Sequence, residues 1–161
     1  MQKIAVLIFT VFTFLHTSAQ TNIGDTAFNI VLKNVKDSLI SYKNIKAKVI
    51  IIDFWASWCG PCIKEMPNLK KYYTANKIKG LEVFSVNVDD DKKDWKKALK
   101  ILKTTWTNVN SPGNFDSKTL ITWNVEQLPS IWVLNSNGVV LAKGFKLNNL
   151  KGIIDAALNN K

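Results

Sequence analysis

The sequence predicts a single α/β domain in which helices flank a central mixed sheet. Three observations support this prediction. Strand and helix patterns alternate between residues 48 and 102, as they do in parallel sheets. Two later apolar segments flank an Asn137-Gly138 pair, a combination typical of an antiparallel hairpin. The chain has 161 residues, 47% of them hydrophobic, which is sufficient for one packed core.

The first 19 residues predict a secretory signal peptide. A basic start at residues 1–3 precedes an uncharged apolar segment at residues 4–15 and a small-residue cleavage site that ends at Ala19. The apolar segment is shorter than the roughly 20 residues that a membrane-spanning helix needs. We expect cleavage near Ala19, which leaves residues 20–161 as one soluble, exported domain located in the periplasm. An uncleaved membrane anchor is the alternative.

The first predicted strands form an N-terminal β-hairpin extension. Residues 28–32 and 38–42 carry alternating apolar residues on either side of the polar residues 34–37. Residues 48–55 follow as an apolar, β-branched run interrupted by Asp53. Such a run is expected for a strand that is buried on both faces of a sheet.

Helical spacing begins at Cys59 and continues to about Lys77. The residues that recur every three or four positions on one side are Cys62, Met66, Leu69 and Tyr73. Pro67 lies inside this segment. We expect it to remove one backbone hydrogen bond and to kink the helix without ending it.

The next predicted elements are a buried strand at residues 81–88 and a lysine-rich amphipathic helix at residues 91–102. The mixed charges at residues 89–94 predict a solvated loop and helix start. Residues 108–114 contain a Ser-Pro-Gly sequence and predict a loop, whereas residues 117–123 predict a short helix.

Two strands and a helix are predicted to complete the domain. Residues 130–134 and 139–143 are expected to pair as antiparallel strands, and Asn137 and Gly138 are expected to supply the positive φ angles of a tight turn. Residues 147–158 form the last predicted helix. Its inward face is expected to carry Leu150, Ile153, Ile154 and Leu158.

The charge pattern argues against binding to nucleic acids. The formal net charge is +10, but all 22 basic residues are lysine and they are spread along the chain among acidic residues. A phosphate-binding protein usually exploits the bidentate guanidinium group of arginine. We therefore expect no nucleic-acid partner, and the basic balance favours acidic partners only in a general way.

The only two cysteines, Cys59 and Cys62, are separated by Gly60 and Pro61. A structural zinc site needs four ligands, and the only histidine, His16, lies in the predicted signal peptide. A purely structural disulfide across two residues would restrict little chain entropy in the unfolded state. The spacing therefore favours redox chemistry that requires neither a metal nor an organic cofactor.

The position of the pair before a helix predicts a role for each cysteine. A helix that starts at Cys59 directs its unpaired N–H groups and its positive dipole end towards this sulfur, which favours the thiolate. Cys59 is thus the candidate nucleophile, and Cys62, one turn later, is the candidate resolving thiol. Pro61 lacks the N–H that would be unpaired in the first turn, and with Gly60 it keeps the sulfurs in a tight turn.

Two tryptophans, Trp55 and Trp58, are expected to flank this site. Trp58 has two interpretations: it either faces the substrate or is a partly buried aromatic residue with no part in the reaction.

The segment Asp-Phe-Trp-Ala-Ser-Trp-Cys-Gly-Pro-Cys at residues 53–62 resembles the active-site segment of thioredoxins. The Glu-Met-Pro segment at residues 65–67 resembles the exported branch related to TlpA and ResA. The resemblance covers about residues 24–160. It implies a thioredoxin fold and a thiol-disulfide oxidoreductase that reduces disulfides of exported proteins through Cys59 and Cys62.

The resemblance also implies roles for residues outside the cysteine pair. Asp53 matches the buried carboxylate that relays the proton of the resolving cysteine, and an ionisable group in an apolar strand is costly unless it is used. The strand pattern places Ser85 where thioredoxins commonly carry a lysine, so we expect desolvation to raise the pKa of Asp53. Leu128 and Pro129 match the cis-proline loop that holds the substrate chain beside the nucleophile.

Glu65 has two interpretations. In the TlpA and ResA branch a glutamate often follows the second cysteine at this distance and would modulate the site, whereas an acid early in a helix is also ordinary dipole complementation. The predicted substrate-binding residues are Trp58, Gly60, Pro61, Leu128 and Pro129.

The predicted activity is reduction of protein disulfides, because Gly60-Pro61 between the cysteines matches the reducing thioredoxins more than the oxidising branches. The resemblance implies a membrane thiol donor of electrons and oxidised exported proteins as substrates, apocytochrome c among the candidates, and we expect a monomer. The alternatives are a disulfide-forming oxidase of the same fold and a non-catalytic binding module. A peroxidase of the related peroxiredoxin branch would need an arginine, which the chain lacks.

Overall fold

The strands form a mixed sheet in the computed structural model, which describes residues 20–160. The predicted signal peptide at residues 1–19 lies outside the described residues. Within the described part of the chain, the sheet has seven strands in the order β2-β1-β5-β4-β3-β6-β7. The strands are β1 (Val31–Asn34), β2 (Leu39–Ser41), β3 (Val49–Trp55), β4 (Leu81–Asn87), β5 (Thr107–Asn110), β6 (Ser130–Asn135) and β7 (Val140–Gly144). The α-helices are α1 (Gly60–Asn76), α2 (Lys92–Leu102), α3 (Lys118–Thr122) and α4 (Lys151–Asn159).

The central strand β3 gives the sheet its mixed character. It pairs in parallel with β4 and antiparallel with β6, so that Asp53 lies opposite Ser85 on one side and Ile131 on the other. Strand β5 extends the parallel part beside β4, while β1, β2 and β7 add antiparallel pairs at the edges. The predicted mixed sheet and the N-terminal hairpin are therefore confirmed.

The elements that surround the cysteines agree most closely with the sequence pattern. Every residue of β3 is buried, as its apolar and β-branched composition predicts. Helix α1 continues through Pro67, and the face that packs on the sheet carries the predicted residues. These buried residues are Cys62, Met66, Leu69 and Tyr73.

Strand β5 corrects one prediction. Residues 108–114 were expected to be a loop, but Asn108, Val109 and Asn110 pair with β4 before the chain leaves the sheet at Ser111. The buried asparagines hide the strand from a hydropathy pattern, although their side-chain NH2 groups donate local hydrogen bonds. Asn108 Nδ2 donates to the Trp106 carbonyl at 3.0 Å, and Asn110 Nδ2 donates to the Asp89 carbonyl at 2.9 Å.

The N-terminal hairpin begins later than predicted. Strand β1 starts at Val31 rather than at residue 28, after a segment whose first residues, Thr26 and Ala27, pair near the start of β7. Thr26 forms an isolated bridge with Val139, and the Ala27 N–H donates to the Gly138 carbonyl at 2.9 Å. The chain must therefore cross from the β7 edge of the sheet towards the opposite edge before it can form β1.

The turn between β6 and β7 differs from the predicted turn at one residue. Gly138 has a positive φ of 77°, as expected, but Asn137 is not among the residues with positive φ. The Asn135 side chain explains the difference, since its Oδ1 accepts hydrogen bonds from the N–H groups of Asn137 and Val139. A turn closed by this side chain needs only one left-handed residue.

Helix α4 also differs in part from its predicted pattern. It begins at Lys151 after a short 3₁₀ turn at Leu147–Asn149, and Leu150, Ile154 and Leu158 are buried at intervals of four residues. Ile153 was expected on the same inward face but is 43% exposed, because its position lies about 100° around the helix from Ile154. Among residues 20–160, no helix is both long and apolar enough to span a membrane.

Candidate active site

The two cysteines meet where β3 passes into α1. Cys59 is the N-cap residue of α1 and is joined to Cys62 by a disulfide, with 5.2 Å between their Cα atoms. The Cys62 N–H donates to Cys59 Sγ at 3.2 Å, so an N–H of the first turn points at the candidate nucleophile. Both cysteines are buried, and the adjoining residues Gly60 and Pro61 are exposed and form the rim of the site.

Asp53 is buried in β3, and its exposed fraction is only 4%. Its carboxylate accepts a hydrogen bond from Ser85 Oγ at 3.0 Å, which places Ser85 at the position deduced from the strand pattern. Burial raises the pKa of Asp53 to about 7, the hydrogen bond from Ser85 opposes this rise, and the charge of Glu65 adds to it. Both forms of the carboxyl group are therefore present near neutral pH.

Trp106 approaches the same carboxylate through Ser85 and was not identified from the sequence. Its indole N–H donates to Ser85 Oγ at 2.7 Å, and its ring lies edge-to-face against Tyr73 of α1 with 5.5 Å between the centroids. A tryptophan just before a strand is a common core residue, so the sequence carries no signal that its N–H leads towards Asp53.

Glu65 lies on α1 beyond its first turn and is partly buried rather than fully exposed. Its Oε1 accepts a hydrogen bond at 3.1 Å from the N–H of Leu147, just before α4. The side chain thus connects α1 to the C-terminal part of the fold while its charge raises the pKa of Asp53. This placement differs from that of an exposed acid in the first turn of a helix.

The Leu128-Pro129 peptide bond is cis, as the resemblance implied, and it immediately precedes β6. Ser130, the first residue of β6, pairs with Phe54 near the end of β3 that leads to the cysteines. Leu128 and Pro129 are therefore at the same end of the sheet as the disulfide, and both are partly buried.

The two tryptophans of the active-site segment have different environments. Trp55 is fully buried in β3, whereas Trp58 is 57% exposed and its ring packs against Phe115 with 6.5 Å between the centroids. Phe115 lies in the 3₁₀ turn Asn114–Asp116 and is 41% exposed. The sequence analysis did not identify Phe115, because the contact joins two loops far apart in the chain.

Asp89 corrects the prediction of a solvated loop at residues 89–94, because it is only 2% exposed. Both carboxylate oxygens accept from the N–H of Ser57, at 2.9 and 3.2 Å, and Asn87 Nδ2 donates to one of them at 3.0 Å. Ser57 lies in the loop that leads to Cys59, so Asp89 fixes the approach to the nucleophile. A run of charged residues cannot reveal this role, since the partner is a backbone group.

The next acidic residue, Asp90, fastens the loop that carries Phe115. Its carboxylate accepts hydrogen bonds from the N–H of Gly113, at 2.7 Å, and from the side chain of Asn114. Asp91 caps α2 by accepting from the N–H of Lys93. The start of the charged run is thus part of the structure around the site.

Comparison with known proteins identifies both a family and named relatives. A family model described as the AhpC/TSA family matches residues 23–143. The chain is 29% identical over 130 residues to the thiol-disulfide oxidoreductase ResA of a Bacillus cereus strain, covering 81% of this chain and 73% of that protein. It is 30% identical over 118 residues to ResA of Bacillus subtilis (strain 168), covering 73% of this chain and 64% of that protein.

Solved structures show the same similarity. The thioredoxin domain of a thiol-disulfide oxidoreductase from Bacteroides vulgatus superposes with a TM-score of 0.79 at 28% identity, covering 87% of this chain and all (100%) of that chain. A thiol:disulfide interchange protein from Bacteroides sp. superposes with a TM-score of 0.77 at 28% identity, covering 87% of this chain and 92% of that chain. The thioredoxin fold predicted from the sequence is confirmed by these matches.

Proposed function

This chain belongs to the AhpC/TSA family, and from that membership and the dithiol of its site we propose that it reduces disulfides in exported proteins. It is a thioredoxin-like thiol-disulfide oxidoreductase, as are its named relatives. The observation that carries the proposal is the Cys59–Cys62 pair at the N-terminus of α1, with the buried Asp53 on the adjoining strand.

The reaction starts from the reduced protein. The Cys59 thiolate attacks one sulfur of a substrate disulfide, the substrate S–S bond breaks, and the leaving sulfur departs as a thiolate that takes up a proton from water. Cys59 and the substrate are then joined by a mixed disulfide. The N–H groups of the first turn of α1 and the positive end of its dipole stabilise the attacking thiolate.

Cys62 completes the exchange. Its thiol transfers a proton to the Asp53 carboxylate, and the resulting thiolate attacks Cys59 Sγ, which releases the second substrate thiolate. Two electrons have then passed from the protein to the substrate, and the Cys59–Cys62 disulfide remains. Because the pKa of Asp53 is raised to about 7, its carboxyl group can both accept and return a proton near neutral pH.

The exposed rim of the site is where we place the substrate chain. Gly60 and Pro61 are exposed beside the nucleophile, Trp58 presents an exposed ring, and Leu128 and Pro129 lie at the same end of the sheet. A substrate strand laid along the 128–129 loop would bring its disulfide to Cys59 while its side chains contact Trp58. Glu65 would tune the proton transfer through its charge.

The regenerating electrons must come from a second dithiol, because the reaction leaves the protein oxidised. We propose that the mature protein, residues 20–161, acts as a soluble monomer in the periplasm after removal of the signal peptide at residues 1–19. A membrane thiol protein would supply the electrons. Oxidised exported proteins, with apocytochrome c as one candidate, would receive them.

Reduction of insulin disulfides in the presence of dithiothreitol tests this function. We expect the wild type to accelerate precipitation, Cys59→Ser to abolish the acceleration, and Cys62→Ser to accumulate a mixed disulfide because its resolving thiol is missing. A wild-type protein that does not accelerate precipitation would instead indicate a non-catalytic binding module.

The redox potential of the Cys59/Cys62 pair tests the direction of the reaction. A value near the roughly −270 mV of thioredoxin would support a reductase. A value near the roughly −120 mV of a strong exported oxidant would overturn the proposed direction and indicate a disulfide-forming enzyme.

A further inference from the structure

A chain of two hydrogen bonds leads from Trp106 to the Asp53 carboxylate. Trp106 Nε1 donates to Ser85 Oγ at 2.7 Å, and Ser85 Oγ donates to Asp53 Oδ2 at 3.0 Å. The three residues come from three neighbouring segments, namely β3, β4 and the residue just before β5. Their exposed fractions are 4% for Asp53, 0% for Ser85 and 6% for Trp106, so bulk water competes little for these groups.

The direction of this chain is fixed by the chemistry of its members. An indole N–H can only donate, and an ionised carboxylate can only accept. The Ser85 hydroxyl accepts from Trp106 and therefore directs its hydrogen to Asp53. Because each donor polarises the next, the chain favours the ionised form of the carboxyl group.

Among the other groups around Asp53 within residues 20–160, only Glu65 carries a charge, and it opposes ionisation of Asp53. From α1, Glu65 adds a negative charge that raises the pKa of Asp53, and Cys59 and Cys62 are joined in a neutral disulfide. The paired residues of the adjoining strands are uncharged, since they are Ser85 in β4 and Ile131 in β6. The hydrogen bond from Ser85 thus lowers the pKa of Asp53, against burial and the charge of Glu65, which raise it.

We propose that Ser85 and Trp106 are positioning residues that keep Asp53 available as the proton acceptor for Cys62, in place of the lysine that thioredoxins commonly carry. The inference rests on the thiol-disulfide exchange proposed above, since that reaction requires the proton of Cys62 to move to Asp53. Trp106 acts only through Ser85, and the edge-to-face contact with Tyr73 holds its ring in place.

The titration of Asp53 in the oxidised protein tests the inference directly, because the cysteines do not titrate in that state. We would follow the Asp53 carboxyl carbon by NMR in protein labelled at aspartate, for the wild type, Ser85→Ala and Trp106→Phe. Ser85→Ala removes the hydrogen bond to the charged form and should raise the midpoint by about one pH unit, a roughly tenfold change in the ionisation constant. Trp106→Phe keeps that hydrogen bond but removes the donor that polarises it, so it should raise the midpoint by a smaller amount. Trp106→Phe keeps an aromatic ring beside Tyr73, so it remains informative if Ser85→Ala fails to fold.

Trp95→Phe is the matched control. Trp95 is fully buried in α2, and its indole N–H has no hydrogen-bond partner within residues 20–160. Its replacement also removes an indole N–H from the core but leaves the hydrogen bonds from Trp106 to Ser85 and from Ser85 to Asp53 in place. The titration midpoint of Asp53 should therefore stay at the wild-type value. The double variant Ser85→Ala/Trp106→Phe should shift the midpoint no further than Ser85→Ala alone, because the indole N–H of Trp106 donates to Ser85 within residues 20–160 and not to Asp53 itself.

A midpoint that is unchanged in Trp106→Phe, or that moves equally in Trp95→Phe, would overturn the role of Trp106. Additive shifts in the double variant would show that Trp106 does not act on Asp53 through Ser85. The insulin assay separates this result from the proposed function: if the wild type reduces no disulfides, the function falls, whereas the titration still decides whether Ser85 and Trp106 set the ionisation of Asp53.

Discussion

Two buried aspartates, Asp53 and Asp89, lie near the active-site ends of neighbouring strands but are held in different ways. Asp89 accepts from the N–H of Ser57 with both oxygens and from the amide of Asn87. Asp53, buried to a similar degree, accepts one hydrogen bond among the described residues, from Ser85 Oγ. Burial is similar, so the number of donors is what distinguishes the two carboxylates: two donor groups hold Asp89 and the loop before Cys59, whereas one donor opposes the burial that raises the pKa of Asp53.

The largest effect expected from this difference is on the pH dependence of stability. Burial raises the pKa of Asp53 from 3.8 to about 7, so the folded protein keeps a proton that the unfolded chain releases. The stabilising contribution of protonated Asp53 is fully present below about pH 4 and is lost as the pH rises through about 7. The two values correspond to a loss of about 4 kcal/mol in the free energy of unfolding.

Urea unfolding of the oxidised protein between pH 4 and 8 measures this loss when the wild type is compared with Asp53→Asn, which has no proton to release. We expect the free energy of unfolding of the wild type to fall by about 4 kcal/mol relative to that of the variant across this range. Parallel pH curves for the two proteins would contradict the raised pKa and remove the basis for the contrast with Asp89.

The second effect is on catalysis by the reduced protein. Asp53→Asn removes the proton acceptor for Cys62, so we expect the release of substrate from the mixed disulfide to slow by about 100-fold near neutral pH. Raising the pH towards the ordinary thiol pKa of about 8.5 should recover much of the rate, because Cys62 then ionises without help. Single-turnover reduction of a disulfide peptide across this pH range measures both expectations.

The pH profile is the control for a structural defect. A variant that is merely misfolded would be slow at every pH, whereas loss of a proton acceptor is repaired by alkali. A variant with the wild-type rate near pH 7 would show that the proton of Cys62 leaves by another route.

The positions of Asp53 and its neighbours could be predicted from the sequence, because they follow from local strand and helix patterns. An acid that interrupts the apolar pattern of β3 is visible at once, and counting along two paired strands places Ser85 opposite Asp53. The N-terminal position of Cys59 on α1 follows from the change to helical spacing. These features depend on strand and helix periodicity, which a sequence records directly.

The structural role of Asp89 could not be predicted, because its hydrogen-bond partners are distant in sequence or belong to the backbone. Asp89 lies in a run of mixed charges that is typical of a solvated loop, and its main donor is the N–H of Ser57, 32 residues away. Strand β5 was missed for a related reason. Asn108 and Asn110 are buried, and the hydrogen bonds that their side-chain NH2 groups donate cannot be read from a hydropathy pattern. Trp106 likewise becomes informative only once Ser85 is seen beside it.

The smallest effect we predict tests Asp89 as a structural fastener. Asp89→Ala leaves the N–H of Ser57 and the amide of Asn87 without their acceptor, and each unpaired buried group has a cost of about 1–3 kcal/mol. Allowing for partial relaxation, we expect the free energy of unfolding to fall by about 2 kcal/mol. Because the same loop leads to Cys59, the rate of insulin reduction should also fall by a few-fold.

Asp91→Ala is the matched control, because it removes a nearby carboxylate that caps α2 by accepting from the N–H of Lys93 and does not contact Ser57. It should reduce stability by about 1 kcal/mol, as the loss of a helix cap does, and leave the rate of insulin reduction unchanged. Urea unfolding and the insulin assay on both variants separate the two roles. Equal rates for Asp89→Ala and Asp91→Ala would show that the loop before Cys59 holds its position without Asp89. The proposed difference in role between Asp53 and Asp89 would then be wrong.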